Sequence, residues 1–347
     1  MYRYLYPLLF RLDAERAHGL ALSLMRLAGS FRPLNTWLRA RFTGPSQPVN
    51  VFGLSFRNRL GLAAGYDKDG LGWRGLACLG FGHIEVGTVT PRAQSGNPKP
   101  RLFRLPEERA LINRMGFPGR GADFVARRLL GPRPPGLVLG VNIGKNKDTP
   151  LEHAAEDYIS LLKVFAPLVD YMTINVSSPN TIGLRRLQAK ETLSGLLQGL
   201  AEERKYQVAS LGRNLPLLVK VAPDLTEVEL GDALDVILNY GMDGIVATNT
   251  TISRQGLLSP LASESGGLSG EPLHARSLEI VQSIVHLTGA QLPVIGVGGV
   301  MDAAGVQRML DAGAELVQVY TGLIYGGPGL VHNILRELVC KSPGVVL

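Results

Sequence analysis

Cysteine is almost absent from this 347-residue chain: Cys78 and Cys340 stand far apart with no CxxC spacing. A disulfide scaffold, a zinc ribbon and an iron–sulfur cluster are thereby excluded within the chain, no metal site is expected, and a reducing compartment fits. Also missing is any uncharged apolar run near the ~18 residues that a membrane span needs. The N-terminal LYPLLF is short, holds a proline and runs at once into Arg11, Asp13, Glu15 and Arg16, which argues against a signal peptide. Lysine is scarce, nine residues against 27 arginines. Glycine is abundant at 42 residues, and 45% hydrophobic with 19% charged content describes a soluble globular protein with ample core. A net charge of +7 and a pI of 9.5 favour anionic partners: phosphates, acidic substrates, nucleic acid or anionic lipid.

From about residue 55 onward, short apolar runs alternate with helical patterns. RLGLAAG, HIEVGTVT, LVLGVNIG, DYMTINVS, PLLVKVAP, DGIVATNT, LPVIGVGG and ELVQVYTG are each nearly continuous in apolar residues, as strands buried on both faces must be. Amphipathic stretches at 186–211, 227–240, 273–288 and 302–312 lie between them. Eight β–α units predict an α/β fold, a (β/α)8 TIM barrel, with a doubly wound open sheet as the alternative. Nearly every run ends in polar or glycine residues on its C-terminal side. A barrel gathers all those ends on one face, whereas an open sheet concentrates its chemistry at one switch point.

Two segments fall outside the repeat. The connection 89–136 is too long for a plain β–α–β link and predicts extra strands or an active-site cover. Residues 1–42 form an N-terminal helical extension. Leu5, Leu8, Leu9 and Leu12, then Ala17, Leu20, Ala21, Leu24, Leu27 and Ala28, follow helical spacing, with Asp13 as N-cap between two helices. Arg3, Arg11, Arg16, Arg26, Arg32, Arg39 and Arg41 decorate them, which suits a helix lying on an anionic membrane or one packed across the barrel's bottom.

At the strand ends, GVGG (296–299), YTG (320–322) and GLSG (267–270) offer backbone N–H groups to a phosphate, the usual use of the last two strand ends in barrels. Lys68, Lys145 and Lys220 sit at strand ends too. Lys220, inside LLVKVAP, must pair with an anion or lose its charge; it fits a Schiff-base nucleophile or a cation beside an electron-rich cofactor ring better than a snorkelling core lysine. Asn113, Asn142, Asn175, Asn180 and Asn249 suggest a planar, amide-rich ligand. NVSSPNT (175–181) adds small hydrogen-bonding groups with no ordinary acid or base.

AGYDKDG (64–70), GTVTP (87–91), NRMGF (113–117), NVSSPNT, KVAPD (220–224), TNTT (248–251), GGLSG (266–270), GVGG and VQVYTG (317–322) together resemble the dihydroorotate dehydrogenase family, in its class 2, membrane-associated, quinone-reducing form. The resemblance runs in order over essentially the whole chain. It implies residues 43–347 as an FMN-binding barrel and residues 1–42 as a membrane-associating segment at the mouth of a quinone tunnel. By the same resemblance, Ala64, Gly65, Tyr66, Asp67, Lys68, Thr88, Asn142, Asn175, Lys220 and Thr248 hold one FMN, with Gly270, Gly299, Tyr320 and Thr321 completing its phosphate pocket. Lys68, Asn113, Arg114, Met115, Gly116, Phe117, Asn175, Asn180, Asn249 and Thr250 hold dihydroorotate or orotate, Lys68 meeting the carboxylate. Ser178 is the implied catalytic base at C5 while C6 gives hydride to flavin N5, with Thr181 and Phe117 shaping a proton relay. His18, Arg104 and Tyr320 match positions lining the tunnel for the quinone co-substrate. The resemblance further implies pyrimidine biosynthesis, no nucleic-acid partner, a monomer, and a peripheral place on the cytoplasmic face of a bacterial inner membrane. By the same resemblance, serine at 178, where the soluble class carries cysteine, and the N-terminal helices, which that class lacks, separate the classes. A tRNA-uracil-reducing flavin barrel, a flavin-free aldolase using Lys220, and a catalytically silent barrel are the competing readings.

Overall fold

The computed structural model describes Tyr6 and residues 10–341. Its centre is a closed barrel of parallel strands, Leu60–Leu62, His83–Val89, Val138–Ile143, Tyr171–Asn175, Leu217–Val221, Gly244–Ala247, Val294–Val297 and Leu316–Val319, each hydrogen-bonded to the next and the last to the first. Every expected strand is present, and the open-sheet alternative is excluded by closure through Val317 opposite Leu60. Helices Lys190–Leu211, Glu227–Asn239, His274–Leu287 and Ala303–Asp311 match the four amphipathic stretches. The sequence reading did not single out Ala122–Leu129, Ala154–Phe165 or Leu330–Lys341.

Side chains alternate along each strand, and the two sets have different fates. Outward residues such as Leu62, Ile84, Leu139, Ile174 and Val219 pack beneath the helices. Inward apolar residues such as Val138, Tyr171, Leu218 and Leu316 fill the end of the barrel where the strands begin. A hairpin of Val49–Val51 and Leu54–Phe56 closes that end with Val51 and Phe56. Two glycines make room inside: a Cβ on Gly61 would lie 2.0 Å from the His83 ring, and one on Gly140 2.2 Å from that of Tyr171.

The 89–136 connection does contain two strands, Leu102–Leu105 and Ala110–Asn113. Their sheet is completed by Gly267–Gly270, so GLSG, read above as a glycine corner, is a strand, although Gly270 still faces the site. At the N-terminus, Asp13 caps helix Ala14–Ser30, its Oδ1 accepting from the Arg16 N–H at 2.9 Å. Phe31 breaks the path and a second helix, Arg32–Phe42, follows with proline in its first turn. Leu5, Leu8, Leu9 and Arg3, assigned to an earlier helix, lie outside the described residues. Helix Ala14–Ser30 packs closely on the short helix Trp73–Leu76, where a Cβ on Gly75 would come within 1.9 Å of the Met25 carbonyl.

Candidate functional site

The strand ends and the three-stranded cover enclose a cavity. Ala64, Gly65, Lys68 and Thr88 line it from the first two strands, and Asn175, Ser178, Asn180, Lys220, Thr248, Asn249 and Thr250 from the middle ones. Gly299, Tyr320 and Thr321 come from the last two, and Asn113, Met115, Gly116, Phe117 and Gly270 from the cover.

Some expected residues stand off it. Asn142 lies one layer down, accepting from Thr88 Oγ1 at 2.5 Å and from Asn175 Nδ2 at 3.1 Å. Asp67 is buried, its carboxylate accepting from the Leu71 and Gly72 N–H groups at 2.8 Å, and burial raises its pKa. Arg114 turns away to Glu264 at 2.5 Å and lies over the Phe103 ring. Tyr66 faces a second cavity. Lys145 donates to the Asn146 and Thr149 carbonyls instead.

The two serines differ. Ser177 is fully buried, donating to Asn175 Oδ1 at 3.1 Å and accepting from Asn249 Nδ2 at 2.9 Å. Ser178 lines the cavity, and its Oγ accepts the Asn180 N–H at 3.3 Å. Nearby, Thr181 Oγ1 is buried with no hydrogen-bond partner among the described residues.

Beneath the cavity is a layer that sequence reasoning missed. Glu85 is buried, with Asn142 Nδ2 donating to one oxygen at 2.8 Å. Tyr171, Thr173 and Gln318 reach the other at 3.2, 3.0 and 3.1 Å. Four donors thus converge on one carboxyl. No local signal marks these residues, since the partners of Glu85 come from three other strands.

Burial pulls the pKa of Lys68 down to about 8, against the opposing pull of Glu15's negative charge. Burial also lowers that of Lys220, with Glu85 opposing. The Lys68 ammonium donates to the Gly65 carbonyl at 2.6 Å. Lys220 is buried and lines the cavity, and Gln318 Oε1 is a buried acceptor with no hydrogen-bond partner among the described residues. A buried ammonium and a buried acceptor both facing one cavity require a polar occupant. At its far end the backbone of Gly298, Gly299 and Gly322 is exposed to that occupant, and no Cβ would fit at Gly299, which has φ +65 and would place one 2.7 Å from the Gly270 carbonyl. Cation, amides and glycine cradle together fit a flavin mononucleotide.

The second cavity lies between helix Ala14–Ser30 and the barrel. It is largely apolar, with Ala17, Ala21, Leu24, Leu111 and Ile324 among its walls, and His18, Tyr66, Arg104 and Tyr320 among its polar groups. Tyr320 faces both cavities. Its ring meets that of Tyr66 edge-on at 5.7 Å, and Tyr66 meets His18 at 4.9 Å. Burial lowers the His18 pKa to about 4, which leaves the imidazole neutral at physiological pH, and raises that of Tyr320 to about 12. Arg104 lies over the Phe10 ring at 4.6 Å and donates to the Leu12 carbonyl.

The sequence model of the family described as Dihydroorotate dehydrogenase matches residues 47–341. A relative from Alkalilimnicola ehrlichii, named Dihydroorotate dehydrogenase (quinone), is 50% identical over 97% of this chain and 99% of its own length. One of the same name from Paraburkholderia phymatum is 48% identical over 99% and 100%. A crystal structure of DHODH from Eimeria tenella in complex with ferulenol superposes with a TM-score of 0.84 at 37% identity, covering 94% of this chain and 91% of that one.

Proposed function

This chain belongs to the dihydroorotate dehydrogenase family, and from that premise we propose that it oxidises (S)-dihydroorotate to orotate with a quinone as final acceptor, in pyrimidine biosynthesis. One observation carries the reading: a polar cavity holding Ser178 and Lys68 and an apolar cavity holding His18 and Arg104 share Tyr320 as a common wall.

Thr88, Asn175, Lys220 and Thr248 would hold the flavin ring of one FMN, with Gly270, Gly299 and Thr321 around its phosphate; Asn142 would act from beneath. The chemistry FMN supplies when bound is acceptance at N5 of the hydride leaving C6, and delivery of the electrons to quinone. Lys68 pairs with the substrate carboxylate, and Asn113, Asn175, Asn180, Asn249 and Thr250 match its ring amides. Ser178 Oγ takes the proton from C5. A serine is a weak base, so its work depends on placement and on the cation and amide donors that stabilise charge developing on the ring. Thr181 and Phe117 shape the path by which that proton leaves.

The apolar cavity takes the quinone ring, with neutral His18 and cationic Arg104 near its oxygens. Residues 1–42 bring that cavity's mouth to the cytoplasmic face of a bacterial inner membrane, 43–347 being the catalytic unit, and the protein acts as a monomer. The contact is read as peripheral; among the described residues no helix is long and apolar enough to cross a membrane.

The test is an absorption spectrum of the purified protein, followed by anaerobic dihydroorotate. A flavin band near ~450 nm that bleaches, and returns with a quinone but not with fumarate or NAD, is the expected result. A colourless protein that takes up no FMN would refute the reading.

A further inference from the structure

Glu15 sits in the first turn of helix Ala14–Ser30, the helix assigned above to the quinone side, yet its carboxylate points elsewhere. It meets the buried Arg101 guanidinium in a two-pronged pair, Nε to Oε2 at 3.2 Å and Nη2 to Oε1 at 2.7 Å. Lys99 adds an exposed contact at 3.3 Å. Arg101 turns its remaining nitrogen, Nη1, to the carbonyls of Ser95 at 2.6 Å and Asn97 at 2.9 Å. The Asn97 side chain then donates to the Arg114 carbonyl at 3.0 Å and to the Asn180 carbonyl at 3.1 Å. Asn180 donates through its side chain to Asn113 Oδ1 and through its backbone to Ser178 Oγ. The path from Glu15 to Ser178 is continuous.

A half-buried ion pair of this kind is a poor source of stability, because desolvation offsets much of the attraction. Its planar fork is better suited to fixing a loop in one register. We infer that Glu15 is a positioning residue for the dihydroorotate half of the reaction, acting through Arg101 and Asn97 on the loop that carries Ser178 and Asn180. Its charge reaches the same site by a second route, since the negative field of Glu15 favours the ammonium form of Lys68. Around Lys68 the other charged groups are Arg101, which opposes that form, and Asp69 and Asp67, which support it.

The inference rests on the proposed activity, and the half-reactions separate the two. In E15Q, flavin bleaching by sub-saturating dihydroorotate is expected to slow about tenfold or more, and orotate to bind more weakly. The high-pH limb of orotate binding moves to lower pH, while reoxidation of the reduced flavin by quinone stays within about twofold of wild type. A residue that merely docks its helix would give the opposite split, with quinone reoxidation impaired and the dihydroorotate step intact, and that result overturns the inference. Should E15Q fail to fold, N97A cuts the same path on the barrel side. It is expected to show the same substrate-side loss, and a wild-type bleaching rate in N97A overturns the inference equally. If the wild-type protein itself does not bleach with dihydroorotate, the functional reading is what fails.

Discussion

Ser177 and Ser178 are the same side chain one residue apart, and their surroundings divide the work. Ser177 is tied on both sides to asparagine amides, whereas the Ser178 hydroxyl faces the cavity. Ser178→Ala should therefore slow anaerobic flavin bleaching by about 10²- to 10⁴-fold, the usual span for a lost general base, and leave orotate affinity within a few-fold. Ser177→Ala should instead weaken orotate binding by loosening Asn175 and Asn249; stopped-flow bleaching and orotate titration distinguish the two. Lys68 gives a pH prediction of definite sign. Burial lowers its pKa, so it loses its charge as pH rises through about 8, well before an ordinary lysine near ~10.4 would. Orotate dissociation constants should be flat below that point and climb above it, toward about tenfold per pH unit. In Lys68→Met the affinity should be low throughout and the limb gone.

At the scale of elements, the barrel strands were legible because burial on both faces leaves short apolar runs that alternate with helical patterns, and Asp13 was legible because capping is local chemistry. The Glu85 layer was not. A glutamate inside HIEVGTVT carries no mark of facing inward, and the Tyr171, Thr173 and Gln318 that satisfy it arrive from strands far along the chain. The cover sheet was half legible: its first two strands lie in the overlong 89–136 connection, but its third is supplied by residues 267–270. The role of individual glycines was hidden for the same reason, since only the fold shows what a side chain would meet. Gly140→Ala drives a methyl into the Tyr171 ring inside a closed barrel and should cost about 1–3 kcal/mol, lowering the melting temperature by several degrees. Gly195→Ala, mid-helix in Lys190–Leu211 with nothing within 4 Å, should raise stability by about 0.5–1 kcal/mol. Thermal melts of the two variants, opposite in sign, test that distinction.

For the whole molecule, the proposed membrane contact points to one face, the surface of the two N-terminal helices. Leu20, Leu24 and Leu27 on the first helix, Phe31 at the junction and Trp37 on the second are about half exposed, on the part of the molecule that borders the apolar cavity. Arg16, Arg26, Arg32 and Arg41 are exposed around them, and the chain as a whole carries +7. Burying each leucine at the acyl boundary contributes about 1.5 kcal/mol or more, and each arginine near an anionic surface about 1 kcal/mol. Neither contribution alone holds a protein on a bilayer; together they would make the proposed attachment reversible and salt-sensitive. The protein should therefore co-sediment with anionic vesicles, less with zwitterionic ones, and progressively less as salt rises. The triple variant Leu20→Ser, Leu24→Ser and Leu27→Ser should lose vesicle binding even at low salt and lose activity with a membrane-dissolved quinone. It should retain wild-type bleaching by dihydroorotate, because these side chains take no part in the polar cavity. Undiminished vesicle binding in that variant would place the membrane contact on another face of the barrel.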